Sequence, residues 1–75
     1  MQMSITLHSC ERFLERVMGY DKKDITKELL RRASHMISQE IGSKVLMDGA
    51  YILPSFKEHQ FVVSNGSVVT IRKRK

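Results

Sequence analysis

The stretch "HSCERFLER" at residues 8–16 carries an imidazole, two guanidinium groups and two carboxylates, with His8, Arg12 and Arg16 recurring every four positions. In a helix each step of four turns the side chain by only roughly 40°, so the three point to one side, with Glu15 beside His8. An imidazole near neutral pKa can move protons, and arginine forks can take up charge growing on phosphate oxygens. That pairing suits attack of an RNA 2′-hydroxyl on its neighbouring phosphate, with His8 as general acid or base. The same spacing also describes a wet helix face on which Glu11 and Glu15 pair with nearby arginines, each pair contributing a few tenths of a kcal/mol.

A second candidate surface lies at the other end, in "EHQFVVSNGSVVTIR". Asn65-Gly66 is a strong signal for a two-residue hairpin loop, and such a loop sets Ser64 opposite Ser67, Val63 opposite Val68 and Val62 opposite Val69. Continued outward, this register sets Phe61 opposite Thr70 and His59 opposite Arg72. One face then holds Glu58, Gln60, Val62, Val69, Ile71 and Lys73, and the other His59, Phe61, Val63, Val68, Thr70 and Arg72. An exposed phenyl ring among cations is what stacking a nucleobase requires, whereas Phe61 with Val63 and Val68 equally describes a core face. The chain closes on Arg72, Lys73, Arg74 and Lys75, which read either as a footprint for a polyanion or as a solvated tail.

The elements that must position these residues follow from periodicity. Thr6 or Ser9 can cap a first helix whose apolar stripe is Cys10, Phe13, Leu14, Val17 and Met18, closed by Gly19. Asp21 is a natural cap for a second helix, with Asp24 in its first turn, apolar positions from Ile25 to Ile41, and Gly42 as the stop. Its exposed side carries Lys22, Lys23, Lys27, Arg31 and Arg32, read mainly as a solubilising face. Two hairpins are expected beyond residue 44, one turning at Asp48-Gly49 and one at Asn65-Gly66, with Pro54 between them. Met3 to Leu7 would add an extended edge. The expected fold is α+β: two helices, then an antiparallel sheet of three to four strands, with the helices on one face.

A chain of 75 residues has room for one domain, 1–75, and a thin core, so chemistry on an open face or shallow groove is favoured over an enclosed metabolite pocket. The 13 Lys and Arg against 8 Asp and Glu, a net charge of +5, favour a nucleic acid as partner. No apolar run suits a bilayer, so no membrane partner is expected. Cys10 is the single cysteine, which excludes an intramolecular disulfide and a thiolate zinc site; with no secretory leader at the N-terminus, a cytoplasmic setting is expected. His8, His35 and His59 lie on separate elements without metal-ligand spacing, so neither a metal nor another cofactor is expected.

"HSCERFLER" resembles the H-x-x-E-R-x-x-E-R opening of a family of small bacterial and phage domains whose members often end on a strand reading V-V-T-hydrophobic-R, as "VVTIR" does here. That family is similar to the RelE, barnase and colicin group of ribonuclease toxins, in which helices precede an antiparallel sheet and RNA is cleaved without metal. The resemblance covers about a third of the chain, at its two ends, and carries over His8, Glu11, Arg12, Glu15, Arg16, Thr70 and Arg72. It implies a RelE-like fold and a toxin-like, metal-independent endoribonuclease. In that reading His8 is the acid or base, Arg12, Arg16 and Arg72 hold phosphate, Thr70 orients an oxygen, and His59, Phe61, Lys73, Arg74 and Lys75 bind the strand. RNA is the expected partner, then DNA, with an antitoxin or a host protein as a further partner. The competing reading is a non-catalytic interaction protein that holds nucleic acid or a host protein.

Overall fold

The structure is a computed structural model that describes residues 3–74. Its elements run β1 (Ser4–Ile5), α1 (Leu7–Arg16), a 3-10 turn (Lys22–Asp24), α2 (Lys27–Ile41), β2 (Gly49–Leu53), β3 (Phe56–Ser64) and β4 (Ser67–Lys73). The architecture is α+β, with the sheet in the order β1-β4-β3-β2. β2, β3 and β4 form an antiparallel meander, and β1 joins β4 in parallel, so the sheet is mixed rather than wholly antiparallel.

Thr6 is the cap of α1. Its hydroxyl accepts from the Ser9 N–H at 3.2 Å and donates to the Val68 carbonyl at 2.8 Å, so one side chain starts the helix and ties it to β4. Phe13 and Leu14 then face inward, and Gly19, at φ +80°, turns the chain after the helix where a side chain would be strained. The cap of α2 is Thr26, accepting from the Leu29 N–H at 3.2 Å, and not Asp21, which precedes only the 3-10 turn and makes no side-chain capping bond. Gly42 ends α2 as its position suggests.

Two sequence expectations about the sheet fail. Asp48-Gly49 makes no hairpin: residues 43–48 are irregular, β2 begins at Gly49, and the turn from β2 to β3 falls at Pro54–Ser55. Asp48 has another role, its carboxylate accepting from the Asn65 N–H at 2.9 Å across to the tip of the next hairpin. Glu40 near the end of α2 accepts from both the N–H and the hydroxyl of Ser55, each at 2.8 Å, and so pins the Pro54–Ser55 turn to the helix layer.

The second failure is register. Asn65 and Gly66, at φ 51° and 76°, make the expected tight turn, and Ser64 faces Ser67 and Val63 faces Val68. Then Val69 bulges: Val62 pairs with Thr70, Phe61 with Ile71, Gln60 with Arg72 and His59 with Lys73. One inserted residue reverses the facing of everything beyond it on β4. The bulge turns Ile71 into the core, fully buried, directly beside Phe61, which is 3 % exposed.

The core is therefore Met3 ahead of β1, Cys10, Phe13 and Leu14 of α1, Ala33, Ile37 and Ile41 of α2, and Leu53, Phe61, Val63, Val68 and Ile71 from one face of the sheet. Phe13 meets Phe56 edge-on at 5.6 Å, and Tyr51 stacks on Phe61 at 5.5 Å. Both helices lie over this face, and among the described residues no element covers the opposite face of the sheet. Among the described residues no helix is long and apolar enough to cross a membrane.

Candidate nucleic-acid interface

The uncovered face is read from strand parity. Val62, Gln60, Thr70 and Arg72 alternate with the buried Phe61, Val63 and Ile71, so Thr70 and Arg72 stand away from the helices. Arg72 is exposed and lies across from Gln60. With the Gln60 amide oriented so that its oxygen faces the guanidinium, that oxygen accepts from Arg72 Nε at 2.7 Å and from Nη2 at 3.1 Å. The ladder continues to Arg74, whose N–H donates to the Glu58 carbonyl at 2.8 Å while its guanidinium donates to the Lys57 carbonyl at 3.0 Å. Gln60, Arg72, Lys73 and Arg74 line a concavity of about 430 Å³, next to a smaller one lined by Lys57, Glu58, Lys73 and Arg74.

Phe61 must be corrected. It is buried against Ile71 and Tyr51 under the helices, so its ring is not available to stack on a base, and Thr70 is not its partner. His59 is likewise opposite Lys73 rather than Arg72; it is half-buried, with the parity of the helix-covered face. Lys75 lies outside the described residues.

The stripe on α1 divides. Measured from the middle of the buried set Ser9, Cys10, Phe13 and Leu14, helical geometry turns His8 roughly 170° away, Arg12 roughly 130° and Arg16 roughly 90°. His8 accordingly points into solvent on the far side of α1 and is exposed. Arg12 pairs with Glu15 one turn on, which offsets its charge. Arg16 alone reaches the sheet: its Nη1 donates to the Ile71 carbonyl at 3.1 Å, on the β4 edge between Thr70 and Arg72. Among the described residues no strand lies beside that edge beyond Val68, and Thr6 and Arg16 between them supply donors to carbonyls along it.

The ends of the HxxER and VVTIR segments thus meet through one bond, at Arg16. At this end of the sheet Arg72 and Arg74 stand on the open face, Lys73 and His59 share the other parity, and Arg16 lies at the β4 edge. The ion pairs among the described residues are Arg12–Glu15 and Glu28–Arg32, so none of these cations is in a direct ion pair, and Glu58 is the carboxylate that lines the adjoining concavity with Lys73 and Arg74. Unpaired arginine forks on an open face can hold phosphate oxygens by charge-assisted hydrogen bonds. Residue types and spacing could have pointed to this cluster, but only the Val69 bulge determines which way Thr70, Ile71 and Arg72 face.

Cys10 belongs to the core. Burial pushes its thiol above the ordinary value, hydrogen bonds with Ser34 and Ser9 pull it partly back, and the Glu11 carboxylate raises it slightly. Among the described residues no group of three His, Cys, Asp or Glu side chains is gathered as a metal site would need.

Compared with known proteins, the chain matches no family model, no curated protein and no solved structure.

Proposed function

We propose that the chain is a small basic RNA-binding domain of the RelE-like kind, cytoplasmic, whose ligand strand crosses the C-terminal end of the sheet. The observation that carries this reading is the cluster of Arg72, Lys73 and Arg74, none of them in a direct ion pair among the described residues, at the concavity beside Gln60, with Arg16 at the adjoining strand edge. The arginines hold phosphates, Gln60 orients Arg72, and Thr70 stands on the same open face as a hydroxyl partner for a phosphate or ribose oxygen. The absence of an accessible aromatic ring there favours backbone contacts over base stacking, and hence weak sequence preference. Filter binding with a short single-stranded RNA tests it: Arg72→Ala with Arg74→Ala weakens binding at every salt concentration, and Lys22→Ala with Lys23→Ala leaves it nearly unchanged. Equal losses from both pairs would reduce the reading to diffuse charge attraction.

A second reading, metal-independent cleavage in the manner of a ribonuclease toxin, is favoured by one observation, the pairing of His59 with Lys73. His59 shares the helix-covered parity with Lys73 at the strand end, so in this reading proton transfer falls to it, with Lys73 rather than Arg72 as the neighbouring cation. His59 then takes the 2′-hydroxyl proton as that oxygen bonds to phosphorus, the P–O5′ bond breaks, the 5′ oxygen leaves with a proton returned by the imidazolium, and Lys73 stabilises the charge on the phosphate. RNA incubated with excess protein in chelator yields products ending in cyclic phosphate if this holds. His59→Ala abolishes them and His8→Ala does not; the reverse pattern would return the acid-base role to the helix.

A further inference from the structure

We propose that the groove between the start of α1 and α2 docks an acidic amphipathic helix of a partner protein. This surface is separate from the cation cluster at the sheet end and does not depend on it. The groove is about 380 Å³, its floor and lip made by Ile5, Leu7, Cys10 and Leu30, with Lys27 and Arg31 along the α2 rim. Leu7 is 63 % exposed at its mouth, although it opens a helix whose apolar side chains otherwise turn inward. A leucine left in water beside a half-buried Ile5 and Leu30 gains by being covered.

Charge complementarity identifies the occupant. Lys27 and Arg31 are one helical turn apart, about 6 Å along the α2 axis, and both are exposed. Glu28, the acidic residue in the first turn of α2, pairs with Arg32 on the next stripe, so neither rim cation has a carboxylate partner among the described residues. Lys27 is moreover the first residue of α2, where the positive end of the helix dipole disfavours a cation and favours an incoming anion. A helix lying along α2 with carboxylates at i, i+4 spacing matches both rim charges, and leucines on its adjoining stripe enter the groove. A second copy of this chain fits poorly, because each copy carries a net charge of +5.

The test uses the full chain labelled with ¹⁵N and a synthetic helical peptide with leucines on one stripe and flanking glutamates at i, i+4, alongside the same peptide with lysines for the glutamates. The acidic peptide binds saturably and shifts amides around Leu7, Cys10, Lys27 and Leu30, and the lysine peptide does not. Lys27→Glu with Arg31→Glu weakens the acidic peptide about tenfold or more and admits the lysine peptide; Leu7→Ser weakens the acidic peptide while leaving RNA affinity unchanged. No saturable binding at millimolar peptide, an affinity indifferent to the charge reversal, or shifts centred on Arg72 to Arg74 would each overturn the proposal. So would dodecanoate shifting these amides when the peptide does not, or a dimer in sedimentation that Leu7→Ser dissolves.

Discussion

Replacing Phe61 separates a packed core residue from an exposed stacking platform. The ring is 3 % exposed, sits opposite Ile71 across the strand pair, and stacks on Tyr51 at 5.5 Å with the planes 24° apart. Truncation of a buried phenylalanine to alanine costs about 3–5 kcal/mol, and the lost aromatic pair is part of that sum. A chain of 75 residues is stable by roughly 4–11 kcal/mol, so Phe61→Ala removes much or all of it. Phe61→Leu keeps most of the volume and costs about 1–1.5 kcal/mol. With a urea slope near ~1 kcal/mol per molar for a chain this small, the leucine variant melts about 1 M below the parent, and the alanine variant at least about 3 M below. Urea titrations followed by far-UV circular dichroism read both. If Phe61→Ala stays within about 0.5 kcal/mol of the parent yet loses RNA affinity, the ring is exposed, the helix-covered parity of β3 is wrong, and the account of the open face falls with it.

The other predictions concern the helix stripe, the thiol and salt. Arg16→Ala leaves the Ile71 carbonyl on the strand edge without its donor and lowers stability by about 1 kcal/mol, whereas Arg12→Ala, which breaks a surface pair, changes it by under about 0.5 kcal/mol; paired denaturation curves decide. Cys10 is slow toward a thiol reagent in the native chain and fast in denaturant, and equal rates would place it at the surface. Because its folded-state pKa is raised, its contribution to stability is complete below the ordinary thiol value and is lost as pH rises through and above it; Cys10→Ser flattens that alkaline decline. If two phosphate contacts are lost in the variant carrying Arg72→Ala and Arg74→Ala, the slope of log affinity for single-stranded RNA against log salt becomes shallower by about 1.4.

Local chemistry made most elements legible. Thr6 capping α1, Gly42 ending α2 and Asn65-Gly66 turning the last hairpin are each set by a side chain or a glycine acting on its own neighbours. Asp48-Gly49 has the same composition as a hairpin turn, but the apolar residues before it find no partner strand, and the carboxylate is drawn instead to Asn65. Asp21 lost the cap of α2 to Thr26 because the intervening residues close a 3-10 turn first. The bulge was hidden for a different reason. Val68-Val69-Thr70-Ile71 offers apolar residues in both parities, so alternation cannot tell a continuous strand from one with an extra residue, and burying Ile71 beside Phe61 decides it. Residue type singles out the cations at the chain's end, but without the bulge Thr70 and Arg72 are put on the wrong face. The α1 stripe was sorted correctly by helical geometry, but a drift of roughly 40° per step leaves only Arg16 against the sheet.

Mapping of RNA on the folded chain is the most direct test of the central claim. A ¹⁵N-labelled sample titrated with a short single-stranded oligoribonucleotide at moderate salt should show its largest amide shifts at Gln60 and from Arg72 to Arg74, smaller ones near Arg16, and none at His8. Shifts concentrated instead on Lys22 to Arg32, or saturable binding that leaves Arg72 to Arg74 unmoved, would contradict it.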